Sequence, residues 1–326
     1  METKKKILIT GIAGFIGFHL ASFLIKKGDY VIGCDNFNDY YTPELKNARA
    51  EKLNALGIEI IPLDIQDIQE IDPLLKDKGI THIVHLAAQA GVRFSITHPM
   101  PYADSNLSGL LSILELARSL KAKLIFASSS SVYGDNTKIP FSENDRTDSP
   151  ISLYAATKKS GELLAKSYHH LYEIPMTGLR FFTVYGPWGR PDMAYYSFSE
   201  KILKGQPIPV FNHGKMERDF TYIDDIIEGT STAIDHCNSF EIYNLGNNQP
   251  EPLMNLITLL ESALGKKALI DYKPMQAGDV TTTFADISKA QKHLGFIPKT
   301  SLATGLDKFT DWLLEYNRAR LIAGKD

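Results

Sequence analysis

Residues 6–17 read KILITGIAGFIG, and this stretch decides the fold. Its apolar start is typical of a strand that is buried on both faces, and the glycines at positions 11, 14 and 17 predict a tight turn into a helix. A residue without Cβ allows a ligand or another chain segment to approach the backbone closely. The first turn of the helix would then present N–H groups and a partial positive charge, which together favour an anion such as a phosphate.

The alternation of strand and helix patterns continues through the first half of the chain. Further short apolar runs predict strands near residues 30–34, 58–61, 82–86, 123–127 and 176–182. The stretches between them predict helices near residues 15–27, 43–56, 66–78, 104–120 and 152–172. This order predicts an α/β protein with a doubly wound, Rossmann-type parallel sheet and right-handed crossovers.

The pattern changes after about residue 186, where proline and glycine become frequent. We therefore expect a larger domain over residues 1–185 and a smaller C-terminal substrate-binding lobe over residues 186–326. Strand and helix patterns reappear near residues 222–250, and we expect this segment to return to the main sheet.

Charge balance and cysteine count exclude several classes of protein. The 35 basic and 38 acidic side chains give a formal net charge of −3, which provides no electrostatic reason to bind nucleic acid or an anionic membrane. No apolar run reaches the roughly 18 residues that a membrane span needs. Two cysteines form no disulfide framework, and the nine histidines show no metal-ligand spacing. We expect a cytoplasmic protein without a metal site.

An acidic residue ends the second predicted strand, where dinucleotide-binding folds contact a ribose. Asp35 lies 18 residues beyond Gly17, and its carboxylate can accept hydrogen bonds from the ribose hydroxyls of an adenosine. The same negative charge would repel a 2′-phosphate. The glycines and Asp35 together predict NAD rather than NADP as the cofactor, with Asp64 and Ile65 beside the adenine.

A phenol and an ammonium group lie one helical turn apart on the predicted helix 152–172. Tyr154 and Lys158 share a face of this helix, and a run of serines at 128–131 ends the preceding strand. The carboxyl ends of strands in an open parallel sheet are where ligands bind. A free tyrosine titrates at about pH 10, and a neighbouring ammonium lowers that pKa because it stabilises the phenolate. Such a pair can remove the proton of an alcohol while NAD⁺ takes its hydride.

Several of these motifs resemble those of the extended short-chain dehydrogenase/reductase family that acts on nucleotide sugars. They are the glycine turn, Asp35, the string LAAQA at 86–90, the serine run and the Tyr154–Lys158 pair. Longer strings are similar to those of UDP-glucuronate 4-epimerases: CDNFNDYY at 34–41, AGVR at 90–93 and RFFTVYGPWGRPDMA at 180–194. The resemblance continues through RDFTYIDD at 218–225 and YNLG at 243–246, so it covers nearly the whole chain.

The resemblance implies roles for individual residues. Tyr154 would be the catalytic base, Lys158 its partner, and Ser129 the hydroxyl that holds the reacting oxygen. The implied NAD-binding residues are Gly11, Gly14, Phe15, Ile16, Gly17, Asp35, Asn36, Asp64, Ile65, Leu86, Ala87, Ala88, Gln89, Asn106, Tyr154 and Lys158. The implied substrate-binding residues are Arg93, Ser130, Ser131, Thr183, Arg190, Met193, Arg218 and Asp279. Gln276 stands where many relatives have arginine.

The resemblance also implies a reaction. Tyr154 would take the proton of the C4 hydroxyl while NAD takes the C4 hydride, and the hydride would return to the opposite face of the 4-keto sugar. UDP-glucuronate would thereby become UDP-galacturonate. The 4-keto intermediate is a β-keto acid, which loses CO₂ when its C5–C6 bond aligns with the ketone π system. We expect charge-assisted hydrogen bonds from Ser130, Ser131 and Thr183, with Arg93 as a further candidate, to hold the carboxylate near the ring plane.

Related activities stay open as alternatives. UDP-glucuronate decarboxylases usually have Glu immediately before Val-Tyr-Gly, and nucleotide-sugar 4,6-dehydratases have an Asp-Glu pair, where this chain has Ser130 and Ser131. A UDP-glucose/UDP-galactose 4-epimerase is disfavoured because such enzymes usually carry Asn in place of Thr183. An inactive NAD-binding scaffold is disfavoured because the three catalytic side chains are present. The resemblance also implies a homodimer formed through the two helices that flank the fifth strand.

Overall fold

The structure is a computed structural model that describes residues 4–276, 278, 280–322 and 324. Its strands are β1 (Lys6–Thr10), β2 (Tyr30–Asp35), β3 (Glu59–Pro62), β4 (His82–His85), β5 (Lys123–Ser129), β6 (Met176–Phe181), β7 (Thr183–Tyr185), β8 (Pro207–Phe211), β9 (Glu217–Tyr222), β10 (Phe240–Leu245), β11 (Pro250–Pro252), β12 (Leu269–Lys273) and β13 (Thr282–Thr283). Its helices are α1 (Phe15–Lys27), α2 (Pro43–Ala55), α3 (Asp72–Lys78), α4 (Phe94–Thr97), α5 (Met100–Ala103), α6 (Gly109–Leu120), α7 (Leu153–Tyr172), α8 (Ala194–Lys204), α9 (Ile223–Asp235), α10 (Leu253–Leu264), α11 (Ser288–Leu294) and α12 (Leu302–Ile322).

Seven parallel strands form the main sheet in the order β10-β6-β5-β4-β1-β2-β3. The predicted Rossmann-type α/β class is confirmed. The chain runs outward in opposite directions from β1 and β4, and such a switch point opens a crevice at the carboxyl ends of the strands. At this point Gly11 has a φ of +69°, and a Cβ there would lie 2.7 Å from the backbone nitrogen of Ala87. Only glycine allows the turn after β1 to approach the segment after β4 so closely.

Alternate residues of the central strands enter two separate hydrophobic cores, one on each face of the sheet. Ile7 and Ile9 of β1 belong to one core, and Leu8 belongs to the other. Val84 and Ile83 of β4 divide in the same way. Because helices cover both faces, these strands need no alternation with polar residues, which is why they appear in the sequence as continuous apolar runs.

Two of the predicted helices are interrupted in the structure. The stretch 66–78 forms a 3₁₀ segment, Ile65–Ile71, before α3 begins. Pro73 lies in the first turn of α3, where its missing N–H is tolerated, but it would break a continuous helix. The stretch 104–120 begins with a π-type turn, Asp104–Ser108, before α6.

After β6 the chain builds two small sheets and returns to the main sheet. β11, β9 and β13 form one small sheet with β7 beside β9, and β8 pairs with β12. β10 pairs with β6 along its whole length, and α9 packs against α1. The small sheets contribute residues of β7, β9 and β13 to the crevice at the strand ends. Within the described ranges, none of the helices has the length and the apolar character needed to cross a bilayer.

Candidate active site

A cavity of about 430 Å³ lies at the carboxyl ends of the main strands. It is bounded by the glycine turn, the segment after β4, the serine run after β5, the start of α7 and the small sheets. Most of the residues that the sequence assigns to the site line this one cavity: Gly11, Gly14, Phe15, Ile16, Gly17, Asp35, Asn36, Ile65, Leu86, Ala87, Ala88, Gln89, Ser129, Ser130, Ser131, Tyr154, Lys158, Thr183, Arg190, Met193 and Arg218.

Two predicted NAD-binding residues, Asp64 and Asn106, are not among the residues that line the cavity. Asn36 lines the cavity and donates a hydrogen bond of 2.7 Å to the carboxylate of Asp64. Asn106 is buried in the π-type turn before α6, where its amide accepts from the backbone nitrogen of Gln89 at 2.9 Å and donates to the Gln89 carbonyl at 3.0 Å. The structure thus makes Asn106 a support for the wall that Gln89 forms.

Segments from both halves of the chain meet at the mouth of the cavity. The Arg93 guanidinium lies 4.5 Å from the centre of the Phe211 ring of β8, outside the lining. A Cβ on Gly278 would lie 3.3 Å from a methyl group of Val92. Asp279, a predicted substrate ligand, lies outside the described residues.

The glycine turn and Asp35 form a site that fits a dinucleotide. Asp35 accepts hydrogen bonds from the backbone nitrogens of Ala13 at 3.0 Å and Phe37 at 2.9 Å, so its carboxylate is fixed at the end of β2. Helix α1 begins at Phe15, and a Cβ on Gly17 would lie 2.2 Å from the Gly11 carbonyl oxygen. The close approach of the helix N-terminus provides a place for a diphosphate, and the carboxylate provides an acceptor for a ribose.

The three predicted catalytic side chains meet in one wall of the cavity. The Lys158 nitrogen lies 6.0 Å from the centre of the Tyr154 ring and donates to the Ala127 carbonyl at 3.0 Å. The Ser129 hydroxyl donates to the Ser131 hydroxyl at 3.1 Å and accepts from the Ser131 backbone nitrogen at 3.2 Å. A strand end and a helix therefore bring together a hydroxyl, a phenol and an ammonium group.

Burial disfavours the charged forms of both titratable members of this group. It raises the pKa of Tyr154 above its ordinary value, although the Ser129 hydroxyl acts in the opposite direction. Burial also lowers the pKa of Lys158 to about 8. Positive charge near the phenol, from Lys158 in its cationic form and from Arg190, favours the phenolate of Tyr154.

A buried ion pair fixes the position of α7. Glu162 lies one turn after Lys158. Its carboxylate accepts hydrogen bonds from Arg180 of β6, from Nε at 2.8 Å and from Nη2 at 2.9 Å. Each of the two side chains is only 4% exposed. Burial alone would raise the pKa of Glu162, but the Arg180 guanidinium outweighs it and the pKa is lowered. Ser128, which precedes the catalytic serine, donates to the same carboxylate at 2.7 Å.

Sequence reasoning assigns neither Glu162 nor Arg180 to the site. A signal was present, because Arg180 interrupts the apolar strand predicted at 176–182, and a buried charge needs a partner. The pattern does not identify that partner, since many acidic residues of the chain could serve.

The opposite wall presents hydroxyl and guanidinium groups. Thr183 begins β7 and pairs with Phe220 of β9, two residues along that strand from Arg218. Arg218 donates from Nη1 to the carbonyls of Glu217 at 2.8 Å and Thr281 at 3.0 Å. Together with the serine run, this wall offers donors to an anionic ligand.

The segment 186–193 after β7 carries Arg190 into the cavity. Arg190 donates from Nε to Asp192 at 3.0 Å, and Asp192 also accepts from the hydroxyl of Tyr40 at 3.1 Å. Within the segment, Trp188 has a φ of +58°. This left-handed conformation costs a non-glycine residue about 1–2 kcal/mol, so the surrounding structure must hold it.

Residues 7–246 match the model of the NAD dependent epimerase/dehydratase family. UDP-glucuronate 4-epimerase 4 of Arabidopsis thaliana is 50% identical over 329 residues, which cover 95% of this chain and 75% of that protein. Protein CapI of Staphylococcus aureus is 47% identical over 330 residues, which cover 95% of this chain and 99% of that protein.

Two solved structures are similar to this chain over nearly its whole length. The UDP-glucuronic acid 4-epimerase of Bacillus cereus in complex with UDP-glucuronic acid and NAD is similar at a TM-score of 0.90 and 37% identity, over 95% of this chain and 99% of that chain. The UDP-glucose 4-epimerase of Thermotoga maritima with UDP-glucose is similar at a TM-score of 0.87 and 31% identity, over 96% of this chain and 99% of that chain.

Proposed function

The chain belongs to the NAD-dependent epimerase/dehydratase family, and on that basis we propose that it catalyses the NAD-dependent 4-epimerisation of UDP-glucuronate to UDP-galacturonate. The observation that carries this proposal is one cavity that is lined both by the catalytic side chains and by Ser130, Ser131 and Thr183. Identity to the UDP-glucuronic acid 4-epimerase of B. cereus is 37%, against 31% to the UDP-glucose 4-epimerase of T. maritima, which supports the acidic sugar. The reaction makes the protein an isomerase.

The chain's own residues move the proton in this mechanism. Tyr154 as phenolate takes the proton of the C4 hydroxyl, and the Ser129 hydroxyl holds the C4 oxygen during the transfer. Lys158, as a cation, stabilises the phenolate. NAD, when bound, supplies first the acceptor and then the donor of the C4 hydride. Tyr154 returns its proton when the 4-keto sugar has turned over, so the net change is inversion at C4.

The glycine turn and its surroundings hold the cofactor. The N-terminus of α1 binds its diphosphate, and Asp35 accepts hydrogen bonds from its adenosine ribose. The remaining contacts come from Asn36, Ile65 and the segment 86–89, with Asp64 and Asn106 acting through Asn36 and Gln89.

The segments beyond residue 186 form the UDP-sugar-binding lobe, apart from α9 and β10, which lie in the region 222–250 that belongs with the main sheet. Arg190 and Arg218 neutralise the substrate diphosphate, for which the five donors of a guanidinium are well suited. Met193, at the start of α8, contributes an apolar contact to the same lobe.

The row of hydroxyls protects the intermediate from decarboxylation. We expect Ser131→Ala or Thr183→Ala to raise the ratio of UDP-pentose to UDP-galacturonate by about 10-fold or more, because each hydrogen bond to a charged group contributes about 1.5–3 kcal/mol. Product analysis by NMR measures this ratio.

Ser160→Ala is the matched control for this ratio. Its hydroxyl bonds the Ala156 carbonyl within α7 and lies outside the lining, so the ratio should not change. An unchanged product ratio in both cavity variants would reject the role of these hydroxyls.

One incubation tests the reaction. The purified chain is mixed with UDP-glucuronate without added NAD, and the products are identified by NMR. UDP-galacturonate as the main product supports the proposal, and the absence of a cofactor requirement shows that NAD stays bound. No turnover of UDP-glucuronate, together with interconversion of UDP-glucose and UDP-galactose, would favour the alternative that the T. maritima similarity raises.

The chain forms a cytoplasmic homodimer in this proposal. Helices α6 and α7 contact each other beside β5, and they expose Leu111, Leu163 and Leu171, each 43–62% accessible. Burying these side chains against a second copy would remove apolar surface from water. Both cysteines, Cys34 and Cys237, are buried and free, as suits a reducing compartment. Light scattering in solution tests the dimer.

A further inference from the structure

One arginine joins the glycine turn to the segment that carries Arg190. Arg49 of α2 is completely buried, and all five of its N–H groups are used. Nη1 donates to the Ala13 carbonyl at 2.9 Å and to the Tyr41 hydroxyl at 2.8 Å. Nε and Nη2 both donate to the Trp188 carbonyl, at 3.1 and 2.6 Å, and Nη2 also donates to the Gly189 carbonyl at 3.0 Å.

The carbonyls on one side of Arg49 belong to a turn that is unfavourable on its own. Trp188 has a φ of +58°, which a bulky side chain rarely adopts. Two N–H groups of Arg49 converge on its carbonyl oxygen, and His19 bonds the preceding carbonyl of Pro187 at 2.9 Å. Burial lowers the pKa of His19 to about 4, so this histidine stays neutral and donates from Nε2. Arg190 follows within two residues, so this turn sets where its backbone lies, while Asp192 holds its guanidinium.

The carbonyl on the other side of Arg49 belongs to the glycine turn. Ala13 lies between Gly11 and Gly14, and its own nitrogen donates to Asp35 at 3.0 Å. Arg49 and Asp35 therefore hold the same peptide segment from opposite ends. All the acceptors of Arg49 are neutral carbonyl or hydroxyl oxygens.

We propose that Arg49 is a positioning residue whose guanidinium sets the glycine turn and the turn at Trp188 in one fixed geometry. Arg190 is thereby directed at the substrate diphosphate when the glycine turn is shaped for NAD. Loss of this link weakens the binding of NAD and the binding of the UDP-sugar together, although Arg49 lies outside the cavity lining. The identity of the two diphosphate ligands rests on the proposed function.

The variant Arg49→Lys separates the link from the charge. Lysine keeps the positive charge but lacks the planar fork that reaches both turns. We expect the NAD content of the purified chain, measured by absorbance after denaturation, to fall below half of the wild-type value. We also expect the Kd of UDP, measured by calorimetry, to rise about 10-fold or more. Circular dichroism confirms that the chain is folded at the temperature used.

A double-mutant cycle tests whether Arg49 acts through Arg190. In a chain that already carries Arg190→Ala, we expect Arg49→Lys to raise the Kd of UDP by less than about 2-fold, because the group it positions is absent. If the double variant instead raises the Kd of UDP by the product of the two single-variant factors, Arg49 acts independently of Arg190 and the proposal is overturned.

Two further variants keep the test decisive. Lys52→Met removes an exposed cation from the same helix, 5.4 Å from the Trp188 ring, and should change neither NAD content nor UDP affinity. Tyr41→Phe removes one acceptor of Arg49 and should raise the Kd of UDP about 3-fold even if Arg49→Lys does not fold. If the Arg49 or Tyr41 variant keeps the wild-type Kd of UDP and the wild-type NAD content, the proposed role of Arg49 is overturned but the proposed function is not. A wild-type chain that does not bind UDP would overturn the proposed function as well.

Discussion

Tyr154→Phe should lower the kcat for UDP-glucuronate by about 10²–10⁴-fold, the usual contribution of a positioned acid–base group, while the Kd of UDP changes little. The substitution removes only the phenol oxygen, so the ring continues to fill its place in the cavity wall. No neighbouring group replaces the phenolate, because the Ser129 hydroxyl is far less acidic and Lys158 bonds the Ala127 carbonyl. Single-turnover experiments that follow the sugar by NMR measure the rate.

The control is a second tyrosine on the same helix. Tyr168 lies in α7 with its hydroxyl bonded to Glu115 at 2.6 Å, away from the cavity, and Tyr168→Phe should leave kcat unchanged. If Tyr154→Phe retains more than about a tenth of wild-type turnover, Tyr154 is not the base.

Lysine at position 158 should set the pH at which Tyr154 works. In Lys158→Met the cation that favours the phenolate is lost, and burial, which already raises the pKa of Tyr154, acts with less opposition. The rising limb of kcat against pH should therefore move to higher pH. A profile that stays at the wild-type pH would show that Lys158 does not tune the phenol.

Arg180→Met should lower the free energy of unfolding by about 3 kcal/mol, because it removes the buried cation that donates two hydrogen bonds to Glu162 and leaves only the partly exposed Lys159, at 3.2 Å, beside that carboxylate. Glu162 and Arg180 are each 4% exposed, so water cannot replace the lost partner without opening the core. Urea unfolding followed by circular dichroism measures the change.

Two variants test whether the loss comes from the buried Glu162 charge that no longer has Arg180 as its partner. In Glu162→Gln/Arg180→Met both charges are absent, and we expect the double variant to be more stable than Arg180→Met. Arg118→Met breaks an exposed Arg–Glu pair with Glu115 and should leave the unfolding midpoint unchanged. If both single arginine variants lose the same stability, the buried pair has no special role.

Local sequence patterns predicted most of the fold of this protein. The run KILIT and the glycines at 11, 14 and 17 encode a buried strand and a close turn within a dozen residues, and the structure confirms the Rossmann-type sheet that they predict. NAD was predicted from the glycines together with Asp35, and the epimerase family from its resemblance to longer strings such as residues 180–194. The comparisons confirm both. The helix boundaries at 66–78 and 104–120 were wrong, since a periodic pattern does not show where a 3₁₀ or π turn replaces the α-helix.

The sequence predicts where the site residues lie in the fold more readily than it predicts which other residues hold them in place. Strand ends in a parallel sheet meet at one edge where ligands bind, so Asp35 and the serine run were expected at that edge before their contacts were known. Asn106 was also predicted to bind NAD, and that role stays a prediction. The structure adds that its amide bonds the backbone of Gln89, a contact that the sequence does not reveal.

Hydrophobic periodicity and glycine spacing are local properties of the chain, and together with Asp35 they were enough to predict the sheet and the cofactor. The roles of Ser129, Tyr154 and Lys158 came from the family resemblance and stay predictions. The pairing of Arg180 with Glu162 and the five hydrogen bonds of Arg49 depend instead on which segments meet in space. Arg49 bonds three backbone carbonyls, from residues 13, 188 and 189, and a carbonyl leaves no trace in the identity of its residue. Buried polar groups must find partners, but the folded chain alone determines which partners lie within reach.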